Sequence, residues 1–388
     1  MKINRNGLKA AILTMSFLQM ATNAVSSILA EIAASFPDAS TSSVQYLMTF
    51  PNLLVVVMSI VTARLTVIIS KRKLAATGLL LGAAAGLLSF LFHSNIILLY
   101  IWAGMLGIGI GLVIPVANGL IAAYFEGGEK DALLGLQTSS ANVGSMLMTF
   151  FGGLLALLGW HYTYFVYLLA VPGLICVLLF VPEDKKREEQ TKEGAGSSAK
   201  IPAFAIPYFI FAILFMLLFY VGPTNVAMLV QERGTGSSVT AGTAATVLLL
   251  GGAIVGLVFG KIAAKIGKLT ISAGFLMMVI GYLGAYFIPT VPALMVSSFL
   301  IGTSNTLVLP QCMGSVVTEN KEQSTLLMAI TLACANLGTF FAPALTAASA
   351  MATGSTTAAS RFLFTGVASA VLMVITAVFA TRQNRRLN

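Results

Sequence analysis

Charge is what this 388-residue sequence has least of. Asp, Glu, Lys and Arg make up 9% of it, against roughly a quarter of an ordinary soluble domain. So few charges cannot cover a water-exposed surface, which excludes a soluble enzyme or a soluble nucleic-acid-binding domain. Histidine occurs twice and cysteine three times. Cys176, Cys312 and Cys334 are odd in number, lie inside apolar runs and show no metal-ligand spacing, so they read as packing thiols. No nucleotide loop, metal cluster or nucleophile triad is present, and neither enzyme activity nor a cofactor is expected.

What is present is hydrocarbon. The chain is 57% hydrophobic, with a mean hydropathy of +0.93. It divides into twelve apolar runs: 8–30, 43–62, 74–92, 97–123, 132–158, 161–181, 204–230, 239–260, 269–288, 292–317, 324–350 and 358–380. Runs of about 20 residues match the thickness of a bilayer crossed as helix. They lack period-2 alternation, and in lipid every backbone polar group must bond internally, so each run is expected to be helical. Lys2, Arg5 and Lys9 precede the first run as they would a secretory signal. Its length, and the interruptions at Gln19 and Asn23, point instead to an uncleaved span.

Counting loops alternately puts 20 of the 22 Lys and Arg on one side, leaving Arg233 and Arg361 on the other. Short basic loops stay cytoplasmic, so a multi-pass cell-membrane protein with both termini inside is expected. The net charge of +9 then faces the inner leaflet rather than nucleic acid. Arg361 reads as an interfacial arginine that snorkels.

The mixed-charge, Gly- and Ser-rich stretch 183–203 separates two halves, 1–182 and 204–388, each with six runs. The halves resemble each other. GLVIPVANG (111–119) recurs as TLVLPQCMG (306–314), pairing Pro115 with Pro310 at an offset of 195. ARLTVIISK (63–71) recurs as GKIAAKIGK (260–268) at 197, and Asn142-x-Gly144 as Asn336-x-Gly338 at 194. Three correspondences at nearly one offset indicate an internal duplication. Six spans per half make the repeats parallel, with a central solute site expected between them near the midplane.

Over its whole length the chain resembles the major facilitator superfamily in its bacterial, twelve-span form. The family's loop pattern Gly-x-x-x-Asp-Arg-x-Gly-Arg-Lys is matched in part by Arg64, Lys71 and Arg72, and more closely by Gly260, Lys261, Lys265, Gly267 and Lys268. Both copies lack its acidic residue, which Val67 and Ala264 replace. Ala103 stands four positions before Gly107, where proton-linked members carry arginine. Met148-Thr149 stands where antiporters carry Gly-Pro in span five, although Ala342-Pro343 is kept in span eleven. The resemblance implies an all-α membrane protein: twelve transmembrane helices in two pseudo-symmetric six-helix bundles.

Intramembrane amides are costly and mark functional positions. They are Gln19, Asn23, Asn52, Asn118, Gln137, Asn142, Asn225, Asn305, Gln311 and Asn336, and none falls in spans 3, 6, 9 or 12. Those four are the spans that the resemblance puts on the lipid-facing outside. At 100° per residue, Ser16, Gln19, Asn23 and Ser26 fall within roughly 80° of one another, as expected of a cavity-lining stripe. Thr138, Asn142, Ser145 and Thr149 form a second stripe, and Ser304, Gln311 and Ser315 share a face. Inter-helix hydrogen bonding is the competing use of such residues.

No Asp or Glu sits mid-span, and Glu31, near an outer end, is the coupling candidate. The expected function is secondary active or facilitative transport of a small organic solute by alternating access. The expected partners are that solute, the bilayer, and protons or a counter-solute, and the chain is expected to be a monomer. The alternatives are a proton-coupled multidrug efflux pump and a non-transporting sensor on the same scaffold.

Overall fold

The computed structural model describes residues 4–183, 202–319 and 324–387, and every described regular element is a helix. Most of the expected linker, with Lys2 and Lys321, lies outside the described residues. The chain divides into two compact units, Met1–Thr191 and Lys192–Asn388.

The first unit opens with α1 (Arg5–Met15), a 3-10 stretch (Ser16–Ser27) and α2 (Leu29–Ser35), bent by 55° at the break before α2. Then follow α3 (Thr41–Ile68), α4 (Lys71–Leu91), α5 (Ile96–Tyr124) and α6 (Gly127–Leu155). A second long 3-10 stretch (Trp160–Leu169) runs into α7 (Ala170–Phe180). Small polar residues set the starts, because a helix's first N–H groups need acceptors. Ser40 Oγ accepts from Ser43 N–H, Ser70 Oγ from Lys73 N–H and Asn95 Oδ1 from Ile97 N–H.

The second unit contains α8 (Ile206–Phe219), α9 (Val221–Glu232), α10 (Ser238–Ile266), α11 (Thr270–Phe287), α12 (Val291–Glu319), α13 (Ser324–Thr353) and α14 (Ala358–Leu387). Its neighbours repeat those of the first. As α5 packs on α3 and α4, so α12 packs on α10 and α11; as α6 packs on the first 3-10 stretch, so α13 packs on α8. Between apolar helices in lipid there is no hydrophobic drive, so close approach through small residues must hold them. Gly107 of α5 lies against the Pro51 backbone, where an added Cβ would come within 2.6 Å of the carbonyl oxygen. Gly302, 195 positions on, lies against the Leu248 backbone in the same way.

Ten helices are long and apolar enough to cross a membrane, or up to eleven if the bent first pair is one span. One of the ten, Ser238–Phe287, is 50 residues long. It comprises α10 and α11, joined where Gly267 closes α10 at φ 54°. Outward-facing apolar side chains such as Ile68, Leu179 and Leu257 stand exposed for lipid to solvate.

Candidate functional site

The expected amides divide by their partners. In the first unit, Gln19 Nε2 donates to Ser16 Oγ at 3.1 Å, and Asn23 Nδ2 donates to Ser145 Oγ of α6 at 3.0 Å. The single-face stripe expected from α-helical phase is therefore corrected. The segment winds as 3-10 with a kink at Met20. At three residues per turn Gln19 lies directly over Ser16, while Asn23 turns about 120° away toward α6. Beside this contact Gly144 lies against Phe17, where a Cβ would approach Phe17 Cα to 2.6 Å. Gly338 of α13 repeats the contact against Ile213 of α8. Asn52 makes only long bonds to the Met48 and Thr49 carbonyls, at 3.5 and 3.4 Å. Asn118 is exposed, Asn142 half-buried and Gln137 buried, and none of the three has a hydrogen-bond partner among the described residues.

In the second unit Asn225 is fully buried. It donates to Val221 O at 2.9 Å and to Thr224 Oγ1 at 3.1 Å, and accepts from Arg361 Nη1 at 2.8 Å. Arg361 is 5% exposed and also donates to Thr356 O at 2.9 Å. It does not snorkel. It is folded inward as a pin between α9 and α14, because Asn225 and a free carbonyl supply acceptors that lipid cannot. Asn305 is half-buried and its Oδ1 has no partner among the described residues. Gln311 Nε2 lies 3.5 Å from Ser315 Oγ, and Asn336 Nδ2 donates to Leu332 O at 3.0 Å.

The charged ends act locally. Glu129 pairs with Arg5 at 2.7 Å and Lys9 at 2.8 Å, both cations lying over the Phe125 ring. Arg72 donates to the Leu178 carbonyl near the end of α7, tying α4 to α7 without the family's acidic partner. Lys71 is buried, Lys268 is partly exposed, and Arg64, Gly260, Lys261 and Lys265 are exposed. Glu31 is half-buried on α2. Glu232 accepts the Ala358 N–H at 2.6 Å, capping α14.

Two features escaped the composition argument. Tyr282, fully buried, bonds the Leu218 and Phe219 carbonyls and the Gly222 N–H, each at 2.9 Å. Pro223 was the available signal: without an N–H it leaves the Phe219 carbonyl free. The other feature is a pair of clefts of about 290 and 300 Å³, one inside each unit. Pro51, Trp102 and Leu106 line one; Leu248, Ser297 and Ile301, at offsets of 195 to 197, line the other. The duplication therefore reaches the interior as well as the loops.

The profile of the Major Facilitator Superfamily matches residues 11–271 and 208–387. The chain belongs to the Major Facilitator Superfamily. Among solved structures it resembles the nucleoside transporter NupG, with a TM-score of 0.79 at 12% identity over 96% of this chain and 99% of that one. It also resembles the POT family transporter PepTSo, with a TM-score of 0.75 at 10% identity over 98% of each chain. A POT family transporter in complex with 5-aminolevulinic acid matches with a TM-score of 0.78 at 15% identity, over 97% of this chain and 96% of that one. No curated protein matches the sequence. The family makes this a multi-pass membrane transport protein rather than an enzyme.

Proposed function

We propose that this member moves a small, uncharged or amphipathic organic solute across the cytoplasmic membrane by alternating access. The observation that carries this reading is the division of the amides. Asn118, Gln137 and Asn142 on α5 and α6, and the Asn305 oxygen on α12, have no partner among the described residues, although they lie on helices this apolar. An unpaired amide in low dielectric is destabilising, so its retention is best explained by a ligand that pairs with it. Gln19, Asn23, Asn52, Asn225, Gln311 and Asn336 are engaged within their own units and serve first as packing. Neutral amides select hydrogen-bonding groups rather than a full charge.

We further infer twelve crossings, counting the bent first pair as one span and dividing Ser238–Phe287 at Gly267, with both termini cytoplasmic. The basic asymmetry supports that orientation.

Solute binding to the purified protein, screened by thermal shift, tests the reading once a stabilising solute is found. Asn118→Ala, Asn142→Ala and Asn305→Ala should each lose that shift about tenfold in ligand concentration, which is roughly 1.4 kcal/mol, while keeping the unliganded melting temperature. Asn225→Ala should do the opposite, lowering the unliganded melting temperature because Arg361 loses an acceptor. Undiminished solute shifts in the first three variants would refute the assignment.

A further inference from the structure

The cleft inside the first unit is lined by four hydroxyl side chains from three segments: Thr22 of the first 3-10 stretch, Ser89 of α4, and Tyr164 and Tyr167 of the second 3-10 stretch. Their residues are 4%, 3%, 5% and 3% exposed. None of the four has a hydrogen-bond partner among the described residues. They differ in this from Tyr282, whose equally buried hydroxyl is fully bonded. One orphaned hydroxyl is tolerable in a core. Four on one cleft call for a shared partner, and none of their oxygens is sealed off from what enters it.

We propose that this cleft is a binding site for ordered water that bridges Thr22, Ser89, Tyr164 and Tyr167. The chemistry fits. Each of the four hydroxyls both donates and accepts, the indole N–H of Trp102 is already bound to the Phe92 carbonyl, no lining residue is charged, and buried water needs two to four partners. The space a water-sized molecule can enter is about 10 Å³, close to the room that one buried water requires and far below that of a solute pocket.

Local winding explains why the hydroxyls meet. In a 3-10 helix residues three apart eclipse one another, so Tyr164 stands over Tyr167, their ring centroids 5.9 Å apart, and Thr22 stands over Val25. In α-helical form each pair would diverge by about 60°. The corresponding segments of the second unit, α9 and the start of α14, are α-helical, and the matching cleft places Phe362 where Tyr164 stands. The set of four hydroxyls thus belongs to the 3-10 form of the first unit, while the matching cleft carries two, Ser297 and Ser298. The water site stands apart from the amides assigned to the solute.

Radiolytic hydroxyl labelling of the full chain in lipid nanodiscs tests this, since buried side chains touching bound water are modified and dry ones are not. Tyr164 and Tyr167 should be modified several-fold faster than Tyr282, which is as buried but dry. Tyr164→Phe and Tyr167→Phe should each lower the melting temperature, because the water loses a partner. Modification no faster than that of Tyr282 would overturn the proposal. So would a rise in melting temperature in either phenylalanine variant, the result expected of an empty cleft relieved of an orphaned hydroxyl.

Discussion

Tyr282 shows how much one side chain can carry in a protein without a hydrophobic drive between its helices. The turn from Leu218 to Pro223 has lost its own ladder: Pro223 offers no N–H, and Gly222 N–H points to the phenol instead. Tyr282 spans both sides of the break with one oxygen, its single O–H shared between the two carbonyls and its lone pair accepting from the amide. Tyr282→Phe keeps the ring and leaves those backbone groups unpaired in a buried site. We expect a loss of about 1–3 kcal/mol, read as a lower melting temperature in detergent. A variant as stable as the parent would mean that water or a shift of α9 replaces the phenol. Arg361 makes a related point. Its sequence neighbours gave only an interfacial cation, because the acceptor that draws it inward, Asn225, lies 136 positions away. Long-range pairing of this kind has no local signature, so which amides are engaged and which are free was not legible from their positions alone.

At the scale of elements, run length and hydropathy were enough to place the helices, since a bilayer dictates both. Winding was not legible. The first unit passes from Phe17, the contact of Gly144, to Val25 at its cleft in eight residues; the second passes from Ile213, the contact of Gly338, to Val226 in thirteen. At about 2.0 Å per residue for 3-10 and 1.5 Å for α, these cover roughly 16 and 20 Å. Similar depths are thus crossed with different numbers of residues, and the repeat offset rises from 196 to 201 along this span. Apolar periodicity cannot report the change, because the segment is polar on several faces. The division of Ser238–Phe287 is legible in both views. As one α-helix its 50 residues would reach about 75 Å, more than twice the hydrocarbon thickness, and Gly267 adopts a φ that ends a helix. If α10 and α11 are two spans, their outer termini share a face opposite Gly267. In a chain cleared of Cys176, Cys312 and Cys334, an impermeant thiol reagent on intact cells should therefore label Thr290→Cys and spare Lys265→Cys. Equal labelling of both would leave the region as something other than two crossings.

Over the whole molecule, the distribution of charge constrains how transport can be driven. A gradient does work only if some group binds its ion differently in the outward- and inward-facing states. Such a group normally stands in the membrane interior. Here Asp and Glu are missing from mid-span positions in the sequence, and Ala103 and Met148-Thr149 replace the residues of proton-linked and antiporter relatives. The glutamates read at the outer ends of spans, Glu31 and Glu232, are 201 positions apart, the offset that relates Val25 to Val226. The second caps α14; Glu31, half-buried on α2, is the coupling candidate read from the sequence. The expectation that follows is facilitated diffusion or solute exchange. In proteoliposomes, solute should equilibrate without accumulating under an imposed pH gradient, and Glu31→Gln should alter the rate less than about twofold, a barrier change of roughly 0.4 kcal/mol. If the parent does accumulate solute against a pH gradient, Glu31→Gln should abolish that accumulation while preserving counterflow. Proton-driven accumulation that persists in Glu31→Gln would locate the coupling group elsewhere in the chain and remove Glu31 from the mechanism.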